Sequence, residues 1–342
     1  MTQMSDRVPW APRSVEDLIR DPGTRGVLMA ASRDPDAKLT FVVPAASVGG
    51  RSRAALAIKI PATPVAGAAV EREGRMLVEL RRSHLAELAG TVPRYVESRQ
   101  VHGLPVLVCT ALPGTPMSVG YHQPLHTARP QLVRDDFAVA GGWLRRFQEL
   151  TSHGEAPVTW AADVAADLRN RWDGHPRLRW ALRRLEVAGE RLDGRVTAHT
   201  VVHGDFWFGN LLVRGGAVTG VVDWEAGRPS GSPLPDLARF ALSYSLYLDR
   251  HTHPGHRVLG HPRLRRDGFA PGITYALRGH GWLPRTVRGF LESGLDALGL
   301  PPTLWYDVAL VGIGDVAASA NDDTFGNGHL ELLADLPLRS EA

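Results

Sequence analysis

The residues that invite chemistry stand close together in "VVHGDFWFGNLLVRGGAVTGVVDWE", Val201 to Glu225. Two short apolar runs flank Gly215-Gly216, a pair suited to the positive backbone angles of a tight hairpin turn. Acidic and amide side chains sit where each run meets a loop: Asp205 and Asn210 before the first, Asp223 and Glu225 after the second. A hairpin folds the chain back on itself and so brings its two strand ends, with these oxygens, to one place. Hard oxygen donors grouped in this way suit Mg²⁺, which fills the rest of its shell from substrate phosphates.

The rest of the chain must supply the elements that position them. At 342 residues it is too long for one small core, and two lobes are expected. The first part reads as strands at 26–32, 38–44 and 54–61, a helix over 67–90, then two more strands through "RYVESRQ" and "LPVLVCTAL". Beyond "PGTPMS" the pattern turns helical, with one long helical stretch from about Trp160 to Leu192, the quoted hairpin, and mostly helices after Pro233. The expected division is a strand-rich lobe, residues 1–112, and a larger mainly helical lobe, residues 113–342.

Composition narrows the function classes. Net charge is only +3 and the arginines are scattered, so they read as solvated helix faces, and no nucleic-acid partner is expected. The single cysteine, Cys109, excludes an internal disulfide framework. The first residues lack an apolar signal core and no apolar run is long enough to span a bilayer, so no membrane partner and a cytoplasmic location are expected. Of the 39 basic residues only Lys38 and Lys59 are lysines. An ammonium is a compact point charge that a planar guanidinium does not replace. Lys59, in "AALAIKIP", reads either as a solvated lysine on an edge strand or as one kept for its chemistry.

Four residues separate Asp205 from Asn210, the interval of the protein-kinase catalytic loop, in which the aspartate receives the acceptor proton and the asparagine holds a metal. With His203-Gly204-Asp205, Asp223-Trp224-Glu225 and "GSPLPDLARF", whose Asp236 lies thirteen residues after Asp223, the chain resembles the aminoglycoside phosphotransferase and choline kinase-like family, most clearly from Val201 to Phe240. The resemblance implies an α+β, protein-kinase-like fold: a small antiparallel sheet with one helix, then a mainly helical lobe. It implies transfer of the γ-phosphoryl group of ATP or GTP, with Mg²⁺, to a hydroxyl of a small molecule such as an antibiotic, sugar or amino alcohol.

The same resemblance distributes roles. Asp205 becomes the catalytic base, and Asn210 and Asp223 the metal ligands. Lys59 becomes the phosphate-binding lysine, with a helical glutamate to hold it. Of Glu71, Glu73, Glu79 and Glu87, Glu73 shares the stripe of Leu77 and Leu80 and is chosen. The backbone of Cys109, Thr110, Ala111 and Leu112 is expected to meet the nucleotide base. His203 and Asp236 are expected to shape the catalytic loop. The glycine-rich cover of kinases is missing, since the first hairpin reads "ASRDPDAKLTF"; the phosphotransferase branch tolerates a serine-bearing loop there, and Ser32 and Lys38 either touch phosphate or belong to an exposed turn. Glu225 is a candidate for the acceptor. Asp322, Asp323 and Glu331 would add the charge a cationic acceptor needs, or else are solvated acids.

Other patterns carry less. "GIGDVA", Gly312 to Ala317, matches a dinucleotide fingerprint but lies in a helical pattern with no strand before it, and reads as helix packing. "HTHPGH", 251–256, reads as a loop, with a zinc site as its weaker alternative. A nucleotide-binding pseudokinase scaffold is the second functional reading, and the intact polar set argues against it. A protein kinase is disfavoured by the gap of thirteen residues from Asp223 to Asp236, too short for a peptide-docking segment.

Overall fold

The computed structural model describes residues 27–338, except 32–37, 44–46, 49–50, 53–54, 82–84 and 89. Ser32 lies outside these residues. The chain divides into two compact units, one made of residues 1–114 with 219–227, the other of 115–218 with 228–342.

The first unit is built on an antiparallel sheet. Its strands are β1 (Val27–Ala31), β2 (Lys38–Val43), β3 (Leu56–Pro61), β4 (Tyr95–Val101) and β5 (Leu104–Thr110), in the spatial order β1-β2-β3-β5-β4. Side chains alternate across a strand. Leu56 and Ile58 therefore join Val106 and Val108 in an apolar cluster on one face, while Lys59 faces the other. The register sets Lys59 opposite Thr40 on β2 and Leu107 on β5.

Helix α1 (Pro64–Leu80) covers that second face. It starts three residues earlier than its apolar period suggests, because Thr63 caps it through Oγ1, accepting from Ala66 N at 3.2 Å, and Pro64 fits the first turn. It ends at Leu80, well short of 90, where the stripe runs into Arg81-Arg82-Ser83-His84. The buried stripe includes Val70, Glu73, Gly74 and Leu77; a Cβ on Gly74 would sit 3.5 Å from Leu107, so helix and sheet are in close contact.

The second unit is mainly helical. Its elements are α2 (Pro130–Thr151), β6 (His153–Pro157), α3 (Trp160–Arg171), α4 (Leu178–Leu192), β7 (Val196–Val202), β8 (Leu211–Arg214), β9 (Ala217–Val221), β10 (Arg228–Gly231), α5 (Leu234–Leu246), α6 (Pro271–Arg278), α7 (Trp282–Ala297), α8 (Trp305–Ser319) and α9 (Asp323–Asp335). Strand β9 leads the chain back into the first unit. The stretch from Trp160 to Leu192 is two helices, because Asp173-Gly174-His175-Pro176 interrupts it; Gly174 takes φ +76° and a proline cannot continue a helix. Gly215 and Gly216 both have positive φ, +59° and +76°, and turn the chain between β8 and β9.

Helix α8 contains Gly312 and Gly314. A Cβ on Gly312 would lie 2.7 Å from Ala238 Cβ and one on Gly314 2.9 Å from Val164. These glycines permit close helix packing against α5 and α3, which accounts for the "GIGDVA" pattern. Among the described residues no helix is long and apolar enough to cross a membrane.

Candidate active site

In the first unit the two lysines of the chain meet one carboxylate. Lys59 Nζ donates to both oxygens of Glu73 at 2.6 Å and to Asp223 Oδ1 at 2.7 Å. Lys38 Nζ donates to the same Asp223 Oδ1 at 2.7 Å and to Glu225 Oε2. Lys59 is 5% exposed and Glu73 fully buried, so neither charge is compensated by bulk water and each depends on its partners. Glu71, Glu79 and Glu87 are exposed.

Burial acts against charge on Lys59, but Asp223 and Glu73 outweigh it and hold its ammonium well above the ordinary lysine range. Burial likewise works to raise the Asp223 carboxyl; Lys59 and Lys38 overcome it and hold the group below the usual carboxylate range. Lys38 is raised too, with Asp223 the leading favourable charge against burial.

Asp223 takes a left-handed backbone, φ +71° and ψ +60°, uncommon for a residue other than glycine, though aspartate is among the side chains that tolerate it. The next residue holds it in place. Trp224 is fully buried, its ring N–H donates to Val221 O at 2.9 Å, and its backbone N–H donates to Glu73 Oε1 at 3.3 Å. Glu73 thus ties Lys59 and the Asp223 segment to α1.

Along the end of β5, Thr110 N–H donates to Arg94 O and Ala111 N–H to Ala55 O, both at 2.9 Å. Those two donors are spent within the unit, so Leu112 N–H is the better candidate for a base contact at this edge. Cys109 is buried and burial pushes its thiol up to about 12, which makes it a packed side chain.

The second unit holds the loop from His203 to Asn210. Asp236, in the first turn of α5, accepts from His203 N at 2.7 Å and Gly204 N at 2.8 Å. Burial raises the Asp236 carboxyl, with His203 the leading opposing influence. His203 is fully buried, and its Nδ1 accepts from Asp205 N at 3.2 Å. Phe206 and Phe208 anchor the loop as fully buried plugs; Phe206 stacks on Trp143 at 5.6 Å and Phe208 on Tyr121 at 4.4 Å.

Asp205, between these anchors, is half-buried. Asn210 Nδ2 donates to its backbone oxygen at 3.0 Å and to Oδ2 at 3.1 Å. With its nitrogen so engaged, the Asn210 amide has its oxygen to offer a cation. Arg239, one helical turn after Asp236, donates Nε to Asp205 Oδ1 at 2.9 Å.

The hard-oxygen donors of both units suit a divalent cation. In the first, Glu73, Asp223 and Glu225 each offer an oxygen within 4.8 Å of the others, the one such group among the described residues. The histidines of "HTHPGH" form none: His251 Nε2 pairs with His122 Nδ1 at 3.2 Å, and the His253 and His256 rings stand 6.0 Å apart.

The acids considered for the acceptor all have partners within the chain. Glu225 accepts from Lys38. Asp322 is the N-cap of α9, its Oδ1 accepting from Phe325 N at 2.6 Å, and Asp323 pairs with Arg171 at 2.8 Å. Glu331 accepts from Asn327 one turn away at 3.3 Å. Sequence reasoning missed Arg239, although its spacing from Asp236 puts both on one helix face.

Residues 47–265 match the family model described as the phosphotransferase enzyme family, and the chain belongs to that family. It is accordingly a small-molecule phosphotransferase. No curated protein sequence matches it. Among solved structures it is similar to aminoglycoside phosphotransferase APH(4)-Ia, at 14% identity and TM-score 0.54, over 91% of this chain and 93% of the other. A thermostable mutant of that enzyme, in ternary complex with AMP-PNP and hygromycin B, aligns at 13% identity and TM-score 0.55, over 94% and 98%. At these identities the likeness establishes the fold: α+β and protein-kinase-like.

Proposed function

We propose that this protein transfers the γ-phosphoryl group of ATP to a hydroxyl of a small molecule such as a sugar, an antibiotic or an amino alcohol. The observation that carries the reading is the buried Lys59–Glu73 pair sharing Asp223, together with an Asp205 loop braced by Asp236. Residues 1–112 serve the nucleotide and residues 113–342 the acceptor, with the 219–227 segment contributing Asp223 to the nucleotide side.

Phosphoryl transfer passes through a loose transition state, so the protein contributes positioning and charge neutralisation. Lys59 binds the α- and β-phosphate oxygens as a point charge fixed by Glu73. Leu112 and its neighbours from Cys109 onward offer backbone to the base. Asn210 and Asp223 would hold Mg²⁺, which would neutralise phosphate charge. Asp205 Oδ2 accepts a hydrogen bond from the acceptor hydroxyl and orients it. The hydroxyl oxygen bonds to phosphorus as the bond to the β-phosphate oxygen breaks. ADP leaves with that electron pair, and the hydroxyl proton passes to Asp205. Arg239 and Asn210, which donate to its two oxygens, fix the direction of the Asp205 carboxylate.

Asp205→Asn keeps the shape and removes the base. It is expected to lower turnover by ~10²–10⁴-fold while the Kd for ATP, measured by calorimetry, stays near that of the native chain. Loss of affinity in proportion to turnover would refute the assignment of Asp205 as base.

A further inference from the structure

Beside Asp205 the second unit contains a cavity of about 170 Å³, walled by Trp207, Tyr247, Phe325, Leu242, Leu246 and Val316. We infer that this cavity is the acceptor subsite and that it selects an uncharged or anionic hydroxylated ring compound over a polycation such as hygromycin B. The inference rests on the phosphotransferase reading and assigns its acceptor class.

Size gives the first argument. An apolar cavity of ~150 Å³ takes a benzene-sized ring, so this one has room for a single ring with short substituents. The walls give the second. Trp207 and Tyr247 stand 6.4 Å apart and tilted by 43°, and Phe325 meets His329 at 4.5 Å. Aromatic faces of this kind favour a flat ring. The indole of Trp207 lies against Gly209, where a Cβ would approach its Cη2 to 2.5 Å, and this contact fixes the wall.

Charge gives the third. Asp205 is the one carboxylate lining the cavity, and the Arg239 guanidinium, also in the lining, answers it at 2.8 Å. Asp315, which also feels Arg239, is not in the lining. Of the acids that would serve a polycation, Asp322 caps α9, Asp323 pairs with Arg171 and Glu331 accepts from Asn327, and none of the three lines the cavity. A polycation entering it would leave water for a single carboxylate, Asp205, that Arg239 already answers.

His329 adds a specific contact. Its Nδ1 lies 2.9 Å from Phe325 O, and a carbonyl can only accept, so Nδ1 carries the proton and Nε2 is an acceptor. The ring is buried, and that burial lowers its pKa to about 4, which keeps it neutral. It suits a second hydroxyl or an N–H on the ring compound.

The test uses three alcohols of one shape: 4-methylbenzyl alcohol, 4-(hydroxymethyl)benzoate and 4-(aminomethyl)benzyl alcohol, with hygromycin B as the polycation. Phosphorylation is followed by ³¹P NMR with Mg-ATP, binding by saturation transfer, and ATP affinity separately by calorimetry. The neutral and anionic alcohols are expected to exceed the cationic one by about tenfold in kcat/KM, and hygromycin B to be left unmodified. Phe325→Ala is expected to weaken the neutral alcohol by about tenfold, while Phe325→Leu retains most of its binding. Preference for the cationic alcohol or hygromycin B, no binding of any ring alcohol, or indifference to Phe325→Ala would overturn the inference. Ring alcohols that saturate the cavity of a chain unable to bind ATP would leave the acceptor class standing and refute the phosphotransferase reading instead.

Discussion

Replacing Glu73 by glutamine separates a buried charge from its partner with little change of shape. Lys59 donates to both Glu73 oxygens at 2.6 Å, and Trp224 N–H donates to one of them. Breaking a buried ion pair by removing one partner costs about 3–5 kcal/mol, because the remaining charge stays desolvated. Lys59 keeps Asp223 at 2.7 Å, which points to the lower end, about 3 kcal/mol. At ~1.4 °C per kcal/mol for a chain of 342 residues, Glu73→Gln should lower Tm by roughly 4 °C. A double-mutant cycle isolates the pair. Lys59→Met and Glu73→Leu should each destabilise strongly, while the double variant, which buries no charge at this position, should recover at least ~1.5 kcal/mol relative to their sum. Urea denaturation followed by circular dichroism measures all four proteins. Additivity within ~0.5 kcal/mol, or a Glu73→Gln chain that melts with the native one, would refute the view that this pair is a single electrostatic unit.

Two further perturbations test the second unit. Gly209→Ala should cost about 1–3 kcal/mol from overpacking against Trp207, and most of that cost should vanish in a Trp207→Ala background; equal costs in both, read from urea midpoints, would separate the glycine from the indole. His329 titrates near 4 in the folded chain against about 6.5 unfolded, because burial disfavours its charged form. Its neutral form is the stable one, so its contribution is fully present above pH ~6.5 and is lost as pH falls toward 4, by up to ~3 kcal/mol. The Asp223 contribution has its own window, complete above the ordinary carboxylate value of ~4 and lost only below it. His329→Gln should therefore flatten the stability profile between pH 6.5 and 4, and an unchanged slope would discount the histidine.

Local signals made much of this arrangement legible. Glu73 shares a helical stripe with Leu77, and that stripe alone directs it to the sheet on which Lys59 lies. The turn between β8 and β9 follows from two glycines. Capping signals were also present but were passed over: Thr63-Pro64 marks the start of α1, and Asp322 ahead of a helical run is an N-cap before it is a ligand. Other features depend on contacts between distant segments. The meeting of Lys38 with Asp223 and Glu225 spans 185 and 187 residues, and no local pattern encodes it. The same holds for the cavity walls, which Trp207, Tyr247 and Phe325 supply from three separate segments.

The two lysines have a practical consequence. Every other basic side chain is an arginine, so the protein carries two side-chain amines, and both bond to Asp223. Lysine labelled with ¹³C at the ε-carbon, incorporated during expression, would mark those two side chains and leave thirty-seven guanidiniums silent. Each resonance would then report on one edge of the same carboxylate. The chain thus comes with its own pair of spectroscopic probes, placed where a titration with nucleotide can be followed without introducing a foreign residue.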